Sequence, residues 1–113
     1  MTTTRQNKVA RLLQRDLGDI LQKESRTMFR GALLTVTVVR VAPDLSFAKV
    51  YVSIFAPNDD EKQQLFEGLQ KNTVRIRALL AQKVAKQLRI IPELAFYVDD
   101  SLDYEAHINE LLK

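Results

Sequence analysis

The chain contains no cysteine, no tryptophan and only three glycines in 113 residues. Without cysteine, disulfides and thiolate metal sites are excluded, which fits a reducing compartment. Gly18, Gly31 and Gly68 stand alone. No P-loop, G-x-G-x-x-G or G-x-S-x-G can therefore be built, and the usual phosphate cradles and nucleophile elbow are missing. Long apolar runs are missing too. The richest stretches are strand length, far short of the roughly 20 residues that span a bilayer. The opening MTTTRQNKVARLL has no signal-like apolar segment. The expectation is a soluble cytoplasmic protein.

Histidine occurs once, as His107, with no second His or Cys to complete a metal set. Asp99, Asp100 and Asp103 form a carboxylate cluster, but the ligand-and-glycine loop that holds calcium is absent, so turn and capping duty is the expectation. No nucleophile has an adjacent base. We expect no enzyme activity, no metal and no cofactor.

What is present is a normal globular composition, 46% hydrophobic, in a length that suits one domain over residues 1–113. The net charge of +3 hides a strong polarity. Residues 1–30 carry seven Lys/Arg against three acids, residues 71–91 carry six and no acid, and residues 92–113 carry six acids and one Lys. Such blocks make a polarised surface, and basic stripes are the footprint of a nucleic-acid binder.

Periodicity orders the elements. Val9, Leu12, Leu13, Leu17, Ile20 and Leu21 repeat at helical spacing, with Thr3 or Thr4 as a possible cap. Arg5, Lys8, Arg11 and Arg15 follow another face. The pattern fades over 24–30 and Gly31 stops it. Leu33–Val41 is rich in β-branched residues, and Phe47–Phe55 alternates with period two. Pro43-Asp44 between them reads as a turn, making an antiparallel hairpin. Asn58 then caps a helix whose first turn holds Asp59, Asp60 and Glu61. Helical spacing resumes through Ile76, Leu79, Leu80, Val84 and Leu88 until Pro92. Leu94–Val98 is a third strand, and Asp103 caps a short final helix with Ile108, Leu111 and Leu112. The order is α-β-β-α-α-β plus a short C-terminal helix. It predicts an α+β fold: a three-stranded sheet covered by helices on one face, with strand three free to run parallel to an earlier strand.

If the helix over 71–89 is continuous, Lys71, Arg75, Gln82, Lys86 and Arg89 fall within roughly 60° of one another at about 100° per residue. The apolar residues lie opposite, and Arg77 falls toward them, its stem able to pack and its head to reach an edge. Phosphate contact by these cations would be salt-sensitive. Tyr51 is the only aromatic obviously on an exposed strand face, so a base-stacking platform has little support and recognition of structured RNA through its backbone fits better.

Three segments resemble the ribosome-binding factor A family: RQNKVARLLQRDLGDILQKE, VTVVRVAPDLSFAKVYVSIF and RIRALLAQKVAKQLRIIPELAFYVDDSLD. Together they cover approximately residues 5–112. The resemblance implies a type II KH-like fold and a factor that binds the immature small ribosomal subunit. It further implies help in late rRNA maturation, support of growth in the cold, and release before translation initiation linked to an assembly GTPase or an initiation factor. Ribosomal proteins are further expected partners. A monomer is expected. RNA contacts are assigned to Arg5, Lys8, Arg11, Arg15, Lys71, Arg75, Arg77, Lys86 and Arg89. The family's Ala-x-Gly kink falls here on Asn72-Thr73-Val74, with no glycine, so the interhelix break is expected to be softer, shifted or bridged by Asn72. The alternative reading is a protein-interaction module that docks a basic partner through the acidic end (Glu93, Asp99, Asp100, Asp103, Glu105).

Overall fold

The computed structural model describes residues 4–99. Its order is α1 (Thr4–Lys23), α2 (Ser25–Met28), β1 (Leu33–Val41), β2 (Phe47–Phe55), α3 (Asp59–Lys71), α4 (Thr73–Val84) and β3 (Glu93–Val98). The cap at Thr3, the acidic turn at Asp100 and Asp103, His107 and the final helix lie outside the described residues.

Helix α1 buries Val9, Leu13, Leu17, Ile20 and Leu21 along the expected stripe. Two polar residues join them and pin the helix to β1. The buried Gln6 side chain donates to the Val41 carbonyl at 2.9 Å. Gln14 donates to the carbonyls of Val36 and Thr37 at 3.4 and 3.2 Å. Those two carbonyls sit at a β-bulge, where the register with β2 shifts between Val36 and Val38. A bulge leaves backbone groups without ladder partners, and Gln14 supplies one. The bulge also explains how Leu34, Val36, Val39 and Val41 can all be buried although simple alternation would turn the last two outward.

Strands β1 and β2 pair antiparallel, and β3 joins β2 in parallel, giving the order β1-β2-β3. In the hairpin turn, Asp44 Oδ1 accepts from the Ser46 backbone N–H at 3.1 Å and from its hydroxyl at 2.7 Å. These bonds hold the Asp44 carboxyl below its ordinary range. Ala48, Val50, Val52, Ile54, Leu94 and Phe96 face the core, where α1 packs on β1, and α3 and α4 reach the other strands. The helices cover one sheet face, as expected.

Between α1 and β1 the chain turns back through Arg30 and Gly31, both with positive φ (54° and 82°). This return drives Phe29 into the core, fully buried. Asn58 caps α3 by accepting from the Glu61 N–H at 2.8 Å.

Helices α3 and α4 are separate, and the break falls on Asn72. Its conformation (φ −94°, ψ 9°) lies in the bridge region. No residue of the break has positive φ, so none needs to be glycine. Side chains hold it instead. Asn72 Nδ2–H donates to the Gly68 carbonyl at 2.8 Å, and the Thr73 hydroxyl donates to the Gln70 carbonyl at 2.8 Å. Asn and Thr side chains compete in this way for carbonyls that helix N–H groups would otherwise use.

Candidate nucleic-acid interface

Helix α4 ends at Val84, four residues short of Leu88. The Gln87 and Leu88 N–H groups both donate to the Val84 carbonyl, which closes the helix with a tight turn. The continuous stripe expected over 71–89 therefore does not form. Lys71 ends α3, Arg75 lies on the first turn of α4, and Lys86 and Arg89 follow the end of α4. All four are exposed.

Arg89 instead reaches the start of α1. It lines a cleft of about 500 Å³ with Arg5 and Lys8, walled by Pro43, Leu45 and Ile90. Cations more than 80 positions apart thus share one concavity. Asp44 on its rim is the one carboxylate in the lining, and it already accepts two bonds from Ser46. Arg11 and Arg15 continue the exposed line along α1. At about 100° per residue, that line lies roughly opposite the buried stripe. Arg15 Nε also contacts Asp16 Oδ1 at 3.2 Å.

The other predicted cations have closer attachments. Arg75 lies 3.8 Å from Glu24 Oε2. Lys83, whose residue type fits the set but which sequence reasoning left out, bonds Asp19, as does Lys23 at 3.1 Å. Both lysines hold the Asp19 carboxyl below its ordinary value. The basic segment 71–91 carries no acid of its own, but Asp19 on α1 and Glu24 just after it are brought to it, so the face is partly neutralised in space. Arg77 donates from Nε to the Pro92 carbonyl at 3.1 Å and from Nη2 to the Ile91 carbonyl at 2.7 Å. Its stem and head do reach an edge: they fasten the segment that leads into β3.

Beside Arg77, a shallow groove of about 540 Å³ runs between α4 and the edge strand β3. Thr73, Val74, Ala78, Ala81, Ile91 and Leu94 line it. Val74, in the first turn of α4, is 83% exposed. Glu93 completes the lining, so the mostly apolar groove carries one guanidinium and one carboxylate residue.

Among the described residues no group of three or more His, Cys, Asp or Glu is placed to hold a metal ion. No described helix is long and apolar enough to cross a membrane.

The α-β-β-α-α-β order, the mixed sheet and the broken helix pair define a type II KH-like α+β fold. The family model of ribosome-binding factor A matches residues 5–112. The chain belongs to the ribosome-binding factor A family. It is 44% identical over 112 residues to the ribosome-binding factor A of Cytophaga hutchinsonii, covering 99% of this chain and 83% of that protein. It is 46% identical to that of Christiangramia forsetii, covering 98% and 84%. Among solved structures, the crystal structure of ribosome-binding factor A from Thermus thermophilus aligns with a TM-score of 0.67 at 28% identity, covering 82% of this chain and 94% of that one. A homology model of the Thermus thermophilus ribosome-binding factor A, fitted into the cryo-EM map of a 30S complex of that factor, aligns with a TM-score of 0.59 at 31% identity, covering 79% of this chain and 89% of that one.

Proposed function

We propose that this chain is one RNA-binding domain that binds the immature small ribosomal subunit, assists late maturation of its rRNA and leaves before translation initiation. The observation that carries the reading is the convergence of Arg5, Lys8 and Arg89 on one cleft. Membership of the ribosome-binding factor A family supports it, as does the Thermus thermophilus relative fitted within a 30S complex. Phosphates are the ligand such a cleft suits. They carry the complementary charge, and their neutralisation releases counterions. Arg11 and Arg15 extend the contact along α1, and Lys71, Arg75 and Lys86 add a second patch around the helix break. Arg77 serves mainly to position Ile91 and Pro92. The protein acts in the cytoplasm as a monomer, without cofactor or catalysis; its release involves an assembly GTPase or an initiation factor, and ribosomal proteins are further partners.

The test is co-sedimentation with immature small subunits. A folded Arg5→Glu, Lys8→Glu, Arg89→Glu variant should stay in the supernatant. Milder Lys/Arg→Ala changes should shallow the slope of log affinity against log salt by about one for each phosphate contact removed. Unchanged pelleting of the folded triple variant would overturn the reading.

A further inference from the structure

The sheet face turned away from the helices carries a second arrangement. Tyr51 on β2 and Tyr97 on β3 are register partners. Their rings stack with centroids 5.4 Å apart and planes 28° apart. Val38 of β1 completes the rung beside Tyr51, and Tyr97 is 42% exposed. One rung along, about 7 Å away by strand geometry, Arg40 stands directly opposite Lys49. Both are exposed, and neither makes an ion pair among the described residues. Like charges directly opposite each other destabilise a sheet. A bound anion would relieve that cost.

Two carboxylates share this face. Glu93 lies at one end, paired in register with Phe47. Asp99 lies beyond the tyrosine rung and accepts a hydrogen bond from the Thr37 hydroxyl. Arg40, Lys49, Tyr51, Val38 and Asp99 together line a hollow of about 450 Å³. The face therefore runs from Glu93 on the β3 edge, through two cations and the paired rings, to Asp99. Phosphate suits the cation rung, a base suits the rings, and the carboxylates at either end keep the nucleic-acid backbone over the cation rung between them. Stacking on aromatic rings beside basic groups is how proteins hold unpaired bases.

We propose that this open sheet face binds single-stranded RNA, with bases stacked on the Tyr51–Tyr97 pair and phosphate held between Arg40 and Lys49. It is a second RNA site on the opposite side of the sheet from the helices, and it rests on the RNA-binding reading above.

The chain has three tyrosines and no tryptophan, so tyrosine emission reports the site directly in a full-length Tyr104→Phe background. Short oligoadenylate should quench that emission. By anisotropy of a fluorescein-labelled oligoadenylate, Tyr51→Ala with Tyr97→Ala should weaken binding about fivefold or more. Tyr→Phe at both positions should retain it, because the ring rather than the hydroxyl stacks. Arg40→Ala with Lys49→Ala should shallow the salt dependence. If the double alanine variant does not fold by circular dichroism, Tyr97→Thr takes its place, since a β-branched residue suits an exposed strand position.

Undiminished binding in the folded tyrosine variants overturns the proposal. So does competition by oligoglutamate that is equal in parent and tyrosine variants, which would mark a merely ionic protein-docking surface. The cleft and the sheet face can fail separately. Reversal of Arg5, Lys8 and Arg89 should remove subunit binding and leave oligoadenylate quenching in place. Loss of labelled-oligoadenylate binding by anisotropy in that variant, with no loss in the tyrosine variants, would overturn the sheet-face site.

Discussion

Asp19 shows how a single side chain can join elements far apart in the chain. It sits on α1 and accepts from Lys23 one turn on and from Lys83 on α4. Both contacts favour the carboxylate, so its folded pKa lies below the ordinary 3.8. A group with a depressed folded pKa adds stability above its unfolded value and loses it as pH falls through the folded one. The parent protein should therefore outlast an Asp19→Asn variant in denaturant at neutral pH, and the gap should close below about pH 4. A gap that stays constant on acidification would assign the effect to packing. Arg77 gives a different test. Its guanidinium fork meets two carbonyls, which a lysine cannot do with one ammonium. Arg77→Lys should lower the unfolding midpoint while leaving the salt dependence of RNA binding intact. The reverse pattern would place Arg77 on the RNA.

At the scale of elements, the break between α3 and α4 is maintained by side chains. Removing the Asn72 amide leaves the Gly68 carbonyl without that donor. Asn72→Ala should cost about 1 kcal/mol, read from denaturant midpoints. Asn72→Gly should bring no gain, since the residue already holds a negative φ. How much of the structure could be read from the sequence is clearest here. β1 and β2 were legible to the residue, because β-branched density and period two speak directly of a half-buried strand. The cap at Asn58 was equally plain. The bulge at Thr37 was not, because an extra residue in one strand shows only against its partner. Phe29 was hidden by its place after a fading helical pattern. What buries it is the reversal at Arg30 and Gly31. Phe29→Ala should be among the costlier single changes, about 3–5 kcal/mol. The early end of α4 was invisible as well, since Leu88 keeps helical spacing and still packs on the core.

For the whole molecule, the charge blocks proved a partial guide. They grouped the cations by sequence, whereas the fold groups them otherwise. Arg89 belongs in space with Arg5 and Lys8, while Asp19 on α1 and Glu24 after its end meet a segment that has no acid of its own. Tyr51 was visible on its strand. Its stacking partner Tyr97 came into view only with the parallel register of β3. Cations gather at the cleft where α1 meets the end of α4, and aromatic rings stand on the opposite face of the sheet. The most direct test of the central claim is ultraviolet cross-linking of the full chain to immature small subunits, with both the peptide and the nucleotide mapped. Cross-links from residues 5–15 and 86–92 to small-subunit rRNA are the predicted result. Cross-links confined to ribosomal proteins and to the acidic residues from Glu93 onward would contradict it.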